Sequence, residues 1–399
     1  MRCSTIIFPC DYFASDKVEE SFRREYDAAL ASGRFDVVLF NYDAFIEGGP
    51  IRFSHPVANP FQPLIYRGWM MKPEQYERFC DGLVAMSLRP ITPAALYGEL
   101  HMFAENYPGP DLSDEEADTS EYPPTPARLA FEGTKVDAEA VNAAFDRFMV
   151  KDYVKSVKGT SFPTCINTPV TQEELDGYIV DFVEKRGDLF TGGIVLKQFV
   201  DLKRYGATTN EWRAFYFAGS LLTLQRNSNQ DAGCPRPPES FVTSCAAMNS
   251  PYFTIDFAEL EDGEWVVIEG GDGQVSGLAT SQDPVLYYQV LGDAAERLFT
   301  GYSNGRFDRA CEIALANTDP GYYLSDAKDV GQLWMFTWSR CDGALEIGGP
   351  RDTVIIIGKE DLKVSHTMFA EVLEEWYTAP DIPIPAKYVA DHANSTGDN

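Results

Sequence analysis

Residues 252–278, YFTIDFAELEDGEWVVIEGGDGQVSGL, constrain the fold most. Two runs of β-branched and aromatic residues flank Asp262-Gly263, and an Asp-Gly pair between such runs is a strong signal for a two-residue hairpin turn. With Asp262 and Gly263 at the centre of the turn, Glu261 faces Glu264, Leu260 faces Trp265 and Asp256 faces Glu269. Side chains directly opposite each other lie on one face, with Cβ atoms about 4.5–5.5 Å apart. Two facing carboxylates repel unless something positive sits between them. A divalent metal such as magnesium, which takes one or two carboxylates plus phosphate oxygens, meets that need. Asp272 follows closely as a third oxygen ligand. The alternative is a solvent-facing hairpin of ordinary acidic side chains. A one-residue bulge would send Asp256 and Glu269 to opposite faces.

Charge narrows the choice of partners. Lys and Arg number 33 against 61 Asp and Glu, a formal net charge of −28. Such a field repels nucleic acid and anionic membrane surfaces, although a local basic cleft can still take phosphates. No apolar run approaches the roughly 18–20 residues of a membrane span. The start, MRCSTIIFPCDYF, has too short an apolar stretch and too early a proline for a secretory signal, so a cytoplasmic location is expected. The eight cysteines are scattered singly, without a CxxC pair, and read as reduced structural thiols. The four histidines show no ligand spacing, and a lone helical His101 is more often structural than catalytic.

With 399 residues the chain allows two or three domains, or one elaborate one. Over residues 1–90 a β-α-β rhythm predicts a small open α/β domain: a strand at Thr5–Phe8, a helix at Asp16–Ser32 and a buried strand at Asp36–Asn41. In PLIYRGWMM, Arg67 follows an apolar strand. It is either a surface arginine stacked on an aromatic or a bidentate anchor for a carboxylate or phosphate. Helices are expected at Lys72–Leu88 and Thr92–Tyr107, and residues 108–126 form an acidic, proline-rich linker or surface loop.

The middle of the chain gathers cations on strands. After a helix at Asp137–Phe148, the strand FMVKDY carries Lys151, and VKSVKGTSF adds Lys155, Lys158 and Gly159. A lysine on a buried strand is costly unless it meets an anion, and a loop of Lys, Ser, Gly and Thr can close over phosphates. Thr171–Arg186 is a helix opened by a Thr171/Glu174 capping box. The strand GIVLKQFVDL carries Lys197, and EWRAFYFAGSLLTLQRN is a hairpin with Arg213 and Arg226 on its two arms. Cations for phosphate oxygens together with carboxylates for a bridging metal are what phosphoryl chemistry requires. Neither GxxxxGK[ST] nor GxGxxG occurs.

This order of motifs resembles the ATP-grasp superfamily, over roughly residues 60 to 280. The correspondence runs through Lys151, the flap Ser156–Ser161, the hinge Lys197–Asp201, Glu211-Trp212-Arg213, Arg226, Asp256 and Glu269. EWRAFYFAG is similar to a hairpin of ribosomal-protein glutamate ligases, and YRGWMM with VKDYVKS resembles a bacterial and phage clade named for one Arg and two Lys. Two features depart from the pattern. Glu-x-Asn becomes Glu269-Gly270-Gly271-Asp272, and the usual hinge Glu is replaced by Lys197-Gln198.

The resemblance implies an α/β plus α+β ATP-grasp fold, with a pre-domain (1–90), two ATP-gripping subdomains (91–305) and a C-terminal β-β-α extension with a disordered tail (306–399). It implies an ADP-forming carboxylate–amine ligase using ATP and Mg2+ through an acylphosphate. Lys151, Lys155, Lys158, Gly159, Lys197, Gln198, Phe199 and Val200 would bind the nucleotide. Arg213 and Arg226 would stabilise the transferring group, Arg67 would anchor the acceptor carboxylate, and Asp256, Glu269 and Asp272 would hold the metal. The substrates would be small-molecule or peptide carboxylates and amines. A small-molecule kinase and a non-catalytic nucleotide-binding or interaction protein are the alternatives. In the tail, strands at Leu333–Ser339 and Thr353–Ile357 and a helix at Ser365–Tyr377 are expected, whose aromatics serve either the core or a homodimer surface.

Overall fold

The computed structural model describes residues 4–57, 64–86, 88, 90–101, 124–157, 159–227, 229–248, 250–303, 306–317, 322–330, 333–340, 353–358 and 363–369. Lys158, most of the acidic linker and the last thirty residues of the expected tail lie outside them.

The first unit is a parallel sheet, ordered β2-β1-β3, built from β1 (Ser4–Pro9), β2 (Phe35–Phe40) and β3 (Leu64–Tyr66). Helix α1 (Arg23–Ser32) connects the first two strands, and α2 (Tyr42–Ile46) and α3 (Pro73–Ala85) follow β2 and β3. Alternate residues of a strand serve opposite faces. Ile6, Phe8, Val37 and Leu39 pack on the α1 side, and Ile7, Val38, Phe40 and Tyr66 pack toward Phe79 and Leu83 of α3. Both faces are covered, so these strands read as unbroken apolar runs rather than alternating ones. Gly68 is required by space, because a Cβ there would come within 2.3 Å of the Tyr66 hydroxyl.

After α4 (Ala94–His101), strands β4 (Arg128–Phe131), β5 (Arg147–Asp152), β6 (Ile166–Asn167) and β7 (Ile194–Gln198) form an antiparallel sheet ordered β4-β7-β5-β6. Helices α5 (Ala138–Ala144) and α6 (Gln172–Arg186) cover one face through Phe148, Val150, Ile194, Leu196 and Phe182. Thr171 and Glu174 form the expected capping box at α6. The other face carries Met149, Lys151 and Lys197, with Met149 directly across from Lys197.

A small hairpin, β8 (Arg204–Tyr205) and β9 (Thr208–Thr209), leads into β10 (Glu211–Phe217) and β11 (Ser220–Arg226). Past α7 (Glu239–Ser244) come β12 (Tyr252–Glu259) and β13 (Trp265–Asp272), completing an antiparallel sheet ordered β11-β10-β12-β13. One face, with Trp212, Ala214, Tyr216, Phe253 and Ile255, packs on Val242 and Cys245. The opposite face is divided. Phe215, Phe217 and Tyr252 dock on the first sheet and on Tyr287 and Tyr288 of α8 (Pro284–Ser303), while Arg213, Asp256 and Glu269 hold the other end. The core thus runs without a break from the first sheet into this one.

Helix α9 (Arg306–Ala316) then packs on a four-stranded antiparallel meander, β14 (Tyr322–Val330), β15 (Leu333–Arg340), β16 (Thr353–Gly358) and β17 (Val364–Phe369). Here the β-β-α expectation is corrected. Residues 364–369 form an edge strand paired with β16, where a helix from Ser365 was expected, and residues 370–377 lie outside the described ones. VSHTMF is β-branched and short, so pairing with the Ile355–Ile357 run prevails over helical periodicity. The polar strand β14, YYLSDAKDV, gave no alternating signal and was not expected. Among the described residues no helix is long and apolar enough to cross a membrane.

Candidate active site

The expected pairing of Asp256 with Glu269 is present, but the turn is longer than two residues. Leu260 closes on Glu264, Gly263 adopts a left-handed φ of +92°, and Ala258 faces Val266. One extra residue in the turn would shift the whole ladder by one. A β-bulge between Asp256 and Phe257 restores it: Phe257 faces Val267, Ile268 is passed over, and Asp256 faces Glu269. The bulge also frees the carbonyl of Ile268, which accepts a hydrogen bond from Lys197 Nζ.

The two sheets meet at this point. Lys151 Nζ lies 3.8 Å and Lys155 Nζ 3.7 Å from Glu269 Oε1. Arg213 clasps Asp256 with two 2.7 Å hydrogen bonds, from Nε to Oδ1 and from Nη2 to Oδ2, and donates a third to the Gly277 carbonyl. Burial alone would raise the Glu269 carboxyl. Lys151, Lys155, Arg213 and Lys197 outweigh it and hold the group down at about 2, so Glu269 is ionised at neutral pH. Lys197 is pushed well below its ordinary value by burial and by neighbouring Lys151. Even with Lys197 left out, the three cations Lys151, Lys155 and Arg213 meet the two carboxylates Asp256 and Glu269, which makes this end net positive in a chain of charge −28.

A cleft of about 760 Å³ opens from this cluster, within the size range of small-molecule sites. Lys151, Lys155, Lys197, Arg213, Asp256 and Glu269 line its inner end, and Met149, Ile268 and residues 198–202 form its wall. This brings Gln198, Phe199 and Val200 to the cleft as expected. A second, smaller cavity of about 110 Å³ shares the Lys155, Arg213, Asp256 and Glu269 wall and is closed by Met70, Leu100, Val154 and Val275.

Four expected residues are placed differently. Arg226 lies across from Trp212, on the face opposite Arg213, with its guanidinium 5.7 Å from the indole centroid and Nη1 on the Ala232 carbonyl. The pleat requires this, since Arg213 faces Gln225. Arg67 is 2% exposed, and its donors are engaged by Glu25, Tyr288 and the Gly273 and Ser276 carbonyls. It ties the first sheet to the β13 turn and presents no free fork to a substrate. Asp272 faces Phe253 on the side of the sheet away from Glu269. Its Oδ1 accepts from the Gln274 backbone and side chain, and it lines the smaller cavity with Asp256 and Glu269. Gly159 takes φ +71° in open space and is not among the described residues lining the cleft.

One further residue, Asp152, shapes the site. Asp152, fully buried, accepts from the backbone N–H groups of Val154 and Lys155 and from Arg186 Nε, which shapes the turn carrying Lys155. An Asp three residues before Lys155-Ser156 is an Asx-turn signature in the sequence.

The two sheets with the charged cluster between them are an ATP-grasp fold. Residues 140–291, which contain Lys151, Lys155, Lys197, Arg213, Asp256 and Glu269, match the family described as ATP-grasp domain, R2K clade family 3, and this stretch is an ATP-grasp domain. Similar solved structures include D-cycloserine synthetase DcsG (13% identity, 73% of this chain and 100% of that one, TM-score 0.46). A RimK domain ATP-grasp protein from Sphaerobacter thermophilus is also similar (13%, 73% and 99%, 0.44), as is the macrocyclase MdnC of Microcystis aeruginosa bound with its precursor peptide MdnA (15%, 74% and 99%, 0.42). No curated protein sequence matches the chain.

Proposed function

We propose that the protein is an ATP-dependent, ADP-forming ligase that joins a carboxylate to an amine. The observation that carries this reading is the net positive cluster around Glu269 at the closed end of a nucleotide-sized cleft. An excess of positive charge lining a cleft calls for an anion, and a polyphosphate supplies it. Lys151, Lys155 and Lys197 reach the inner cleft and would hold phosphate oxygens, while residues 198–202 would wall the base. The oxygen donors Asp256 and Glu269 suit magnesium, a hard cation. When bound, it would neutralise phosphate charge.

Arg213 lines both cavities, so it stands where a group passes from one to the other. The acceptor acid would occupy the smaller cavity. Its carboxylate oxygen would attack the γ-phosphorus, the bond to the bridging oxygen would break and ADP would leave. An amine nitrogen would then attack the acyl carbon, and phosphate and a proton would be released. Arg213 would offset the charge developing between the two sites.

The test is thermal unfolding with Mg-ATP, followed by hydroxamate formation from a panel of carboxylic acids with hydroxylamine. Ligand at 100 times its Kd stabilises by about 2.7 kcal/mol. A magnesium-dependent shift that Asp256→Asn abolishes, with acid-dependent hydroxamate, ADP and phosphate, is expected. A stable phosphorylated product, or no shift with any nucleotide, would overturn the reading.

A further inference from the structure

The register that pairs Asp256 with Glu269 also fixes what lies next to them on the same face. Two residues along each strand the pair is Thr254 and Gly271. Gly271 contributes no side chain there. A Cβ built on it would lie 3.6 Å from Thr254 Oγ1 and 3.5 Å from Ser276 Oγ. Two hydroxyls therefore border the place where an oxygen-bearing side chain at 271 would begin. Both line the smaller cavity together with Asp256 and Glu269.

The protons of these hydroxyls are assigned by their partners. Ser276 Oγ is 2.8 Å from the Asp272 carbonyl, which can only accept, so the single Ser276 proton goes there. Thr254 Oγ1 is 2.8 Å from Ser276 Oγ and 3.3 Å from the Gly271 carbonyl. With the serine proton already committed, Thr254 is the donor, its single proton shared between the two contacts. Its oxygen is left as an acceptor, and among the described residues it has no donor directed at it. Thr254 is 3% exposed and borders the smaller cavity, so its open lone pair is met by what that cavity holds. A buried oxygen with lone pairs open, on the face of two carboxylates, is matched by a cation or by water held on one.

We propose that Thr254 Oγ1, held as an acceptor by Ser276, completes the oxygen set of the metal site beside Asp256 and Glu269, in the position that Gly271 leaves empty. This rests on the metal–nucleotide reading above. A neutral hydroxyl adds no third negative charge, and magnesium commonly keeps several waters that such an oxygen can receive.

The test measures magnesium dependence rather than turnover: the Mg2+ concentration giving half of the ADP-dependent thermal shift, with Mn2+ binding followed by electron paramagnetic resonance in the presence of ADP. Thr254→Val removes the oxygen at nearly constant volume, and Thr254→Ser keeps it. Outer-sphere partners of a metal are commonly worth about 10–100-fold in affinity. Thr254→Val is expected to raise half-saturation about tenfold, with Thr254→Ser within about twofold of wild type. Ser276→Ala, which alters no strand residue, should raise it by less and serves if the valine variant folds poorly. Half-saturation within about twofold of wild type in Thr254→Val, or equal impairment in the valine and serine variants, would overturn the assignment and leave the ligase reading standing. Absence of any magnesium-dependent shift in wild type would remove the metal site and this inference together.

Discussion

Lys197 donates to the backbone carbonyl of Ile268, the residue that the β13 bulge leaves out of the ladder. One irregularity thus aligns two carboxylates and provides an acceptor for a buried ammonium group on the facing sheet. Burial and Lys151 still drive Lys197 well below its ordinary value, as expected of a cation kept for a ligand.

Lys197→Met should therefore separate stability from binding. Replacing a buried ionisable group by an apolar group of similar length is often neutral or stabilising. Ligand-free urea denaturation is expected to change by less than about 1 kcal/mol. Mg-ADP affinity should fall about tenfold or more, since hydrogen bonds to charged groups are worth about 1.5–3 kcal/mol. A variant destabilised without ligand but with wild-type Mg-ADP affinity would show that Lys197 has only a structural role.

The two arginines of the β10–β11 hairpin should behave oppositely. Arg213 clasps Asp256 on the cleft face, whereas Arg226 lies on the Trp212 face. Arg226→Ala is expected to cost about 0.5–1 kcal/mol, the scale of a lost cation–π contact, with Mg-ADP affinity within about twofold of wild type. Arg213→Ala should weaken Mg-ADP strongly. Calorimetric titration of both variants decides, and strong weakening by Arg226→Ala would contradict the register argument.

Arg67→Met should be among the most destabilising single changes. It removes five hydrogen bonds from a guanidinium that is almost wholly buried and leaves Glu25 without its cation. Breaking a buried pair in this way costs about 3–5 kcal/mol. Adding Glu25→Gln should recover part of that loss, because the stranded charge is then gone. Urea midpoints for the two variants give the comparison; a loss under about 1 kcal/mol would show the pair to be dispensable.

Much of this site was legible because charge stands out on apolar strands. Lys151 and Lys197 interrupt runs that otherwise read as core, and in the structure they occupy the cleft face. The hairpin was readable only through cancellation. The turn holds one residue more than Asp262-Gly263 implies, and the Ile268 bulge compensates for it. Strict alternation back from Val267, which is core, would have put Glu269 on the apolar face. Arg226 escapes for the same reason: motif order carries no face, and only register shows that it points away. Arg67 was ambiguous because its partners, Glu25 and Tyr288, stand 42 and 221 residues away, beyond any local pattern.

The last prediction concerns pH. Burial raises the Asp272 carboxyl from 3.8 to about 7, against the hydrogen bonds from Gln274. Between those values the native protein holds a proton that the unfolded chain has released. The native state then binds more protons, so stability falls as pH rises, by at most about 1.4 kcal/mol per pH unit. Glu269 acts with the opposite sign and in another window. Its value is lowered from 4.5 to about 2, so its contribution is fully present above pH 4.5 and is lost only below it. From about pH 4.5 to 7 the Asp272 effect can thus be read alone by comparison with Asp272→Asn, which cannot titrate. Urea denaturation across that range should give a stability difference, wild type minus variant, that declines steadily with pH and levels off above about 7. A flat difference would mean that Asp272 is already ionised in the native fold, and that its buried position is met by a partner stronger than Gln274.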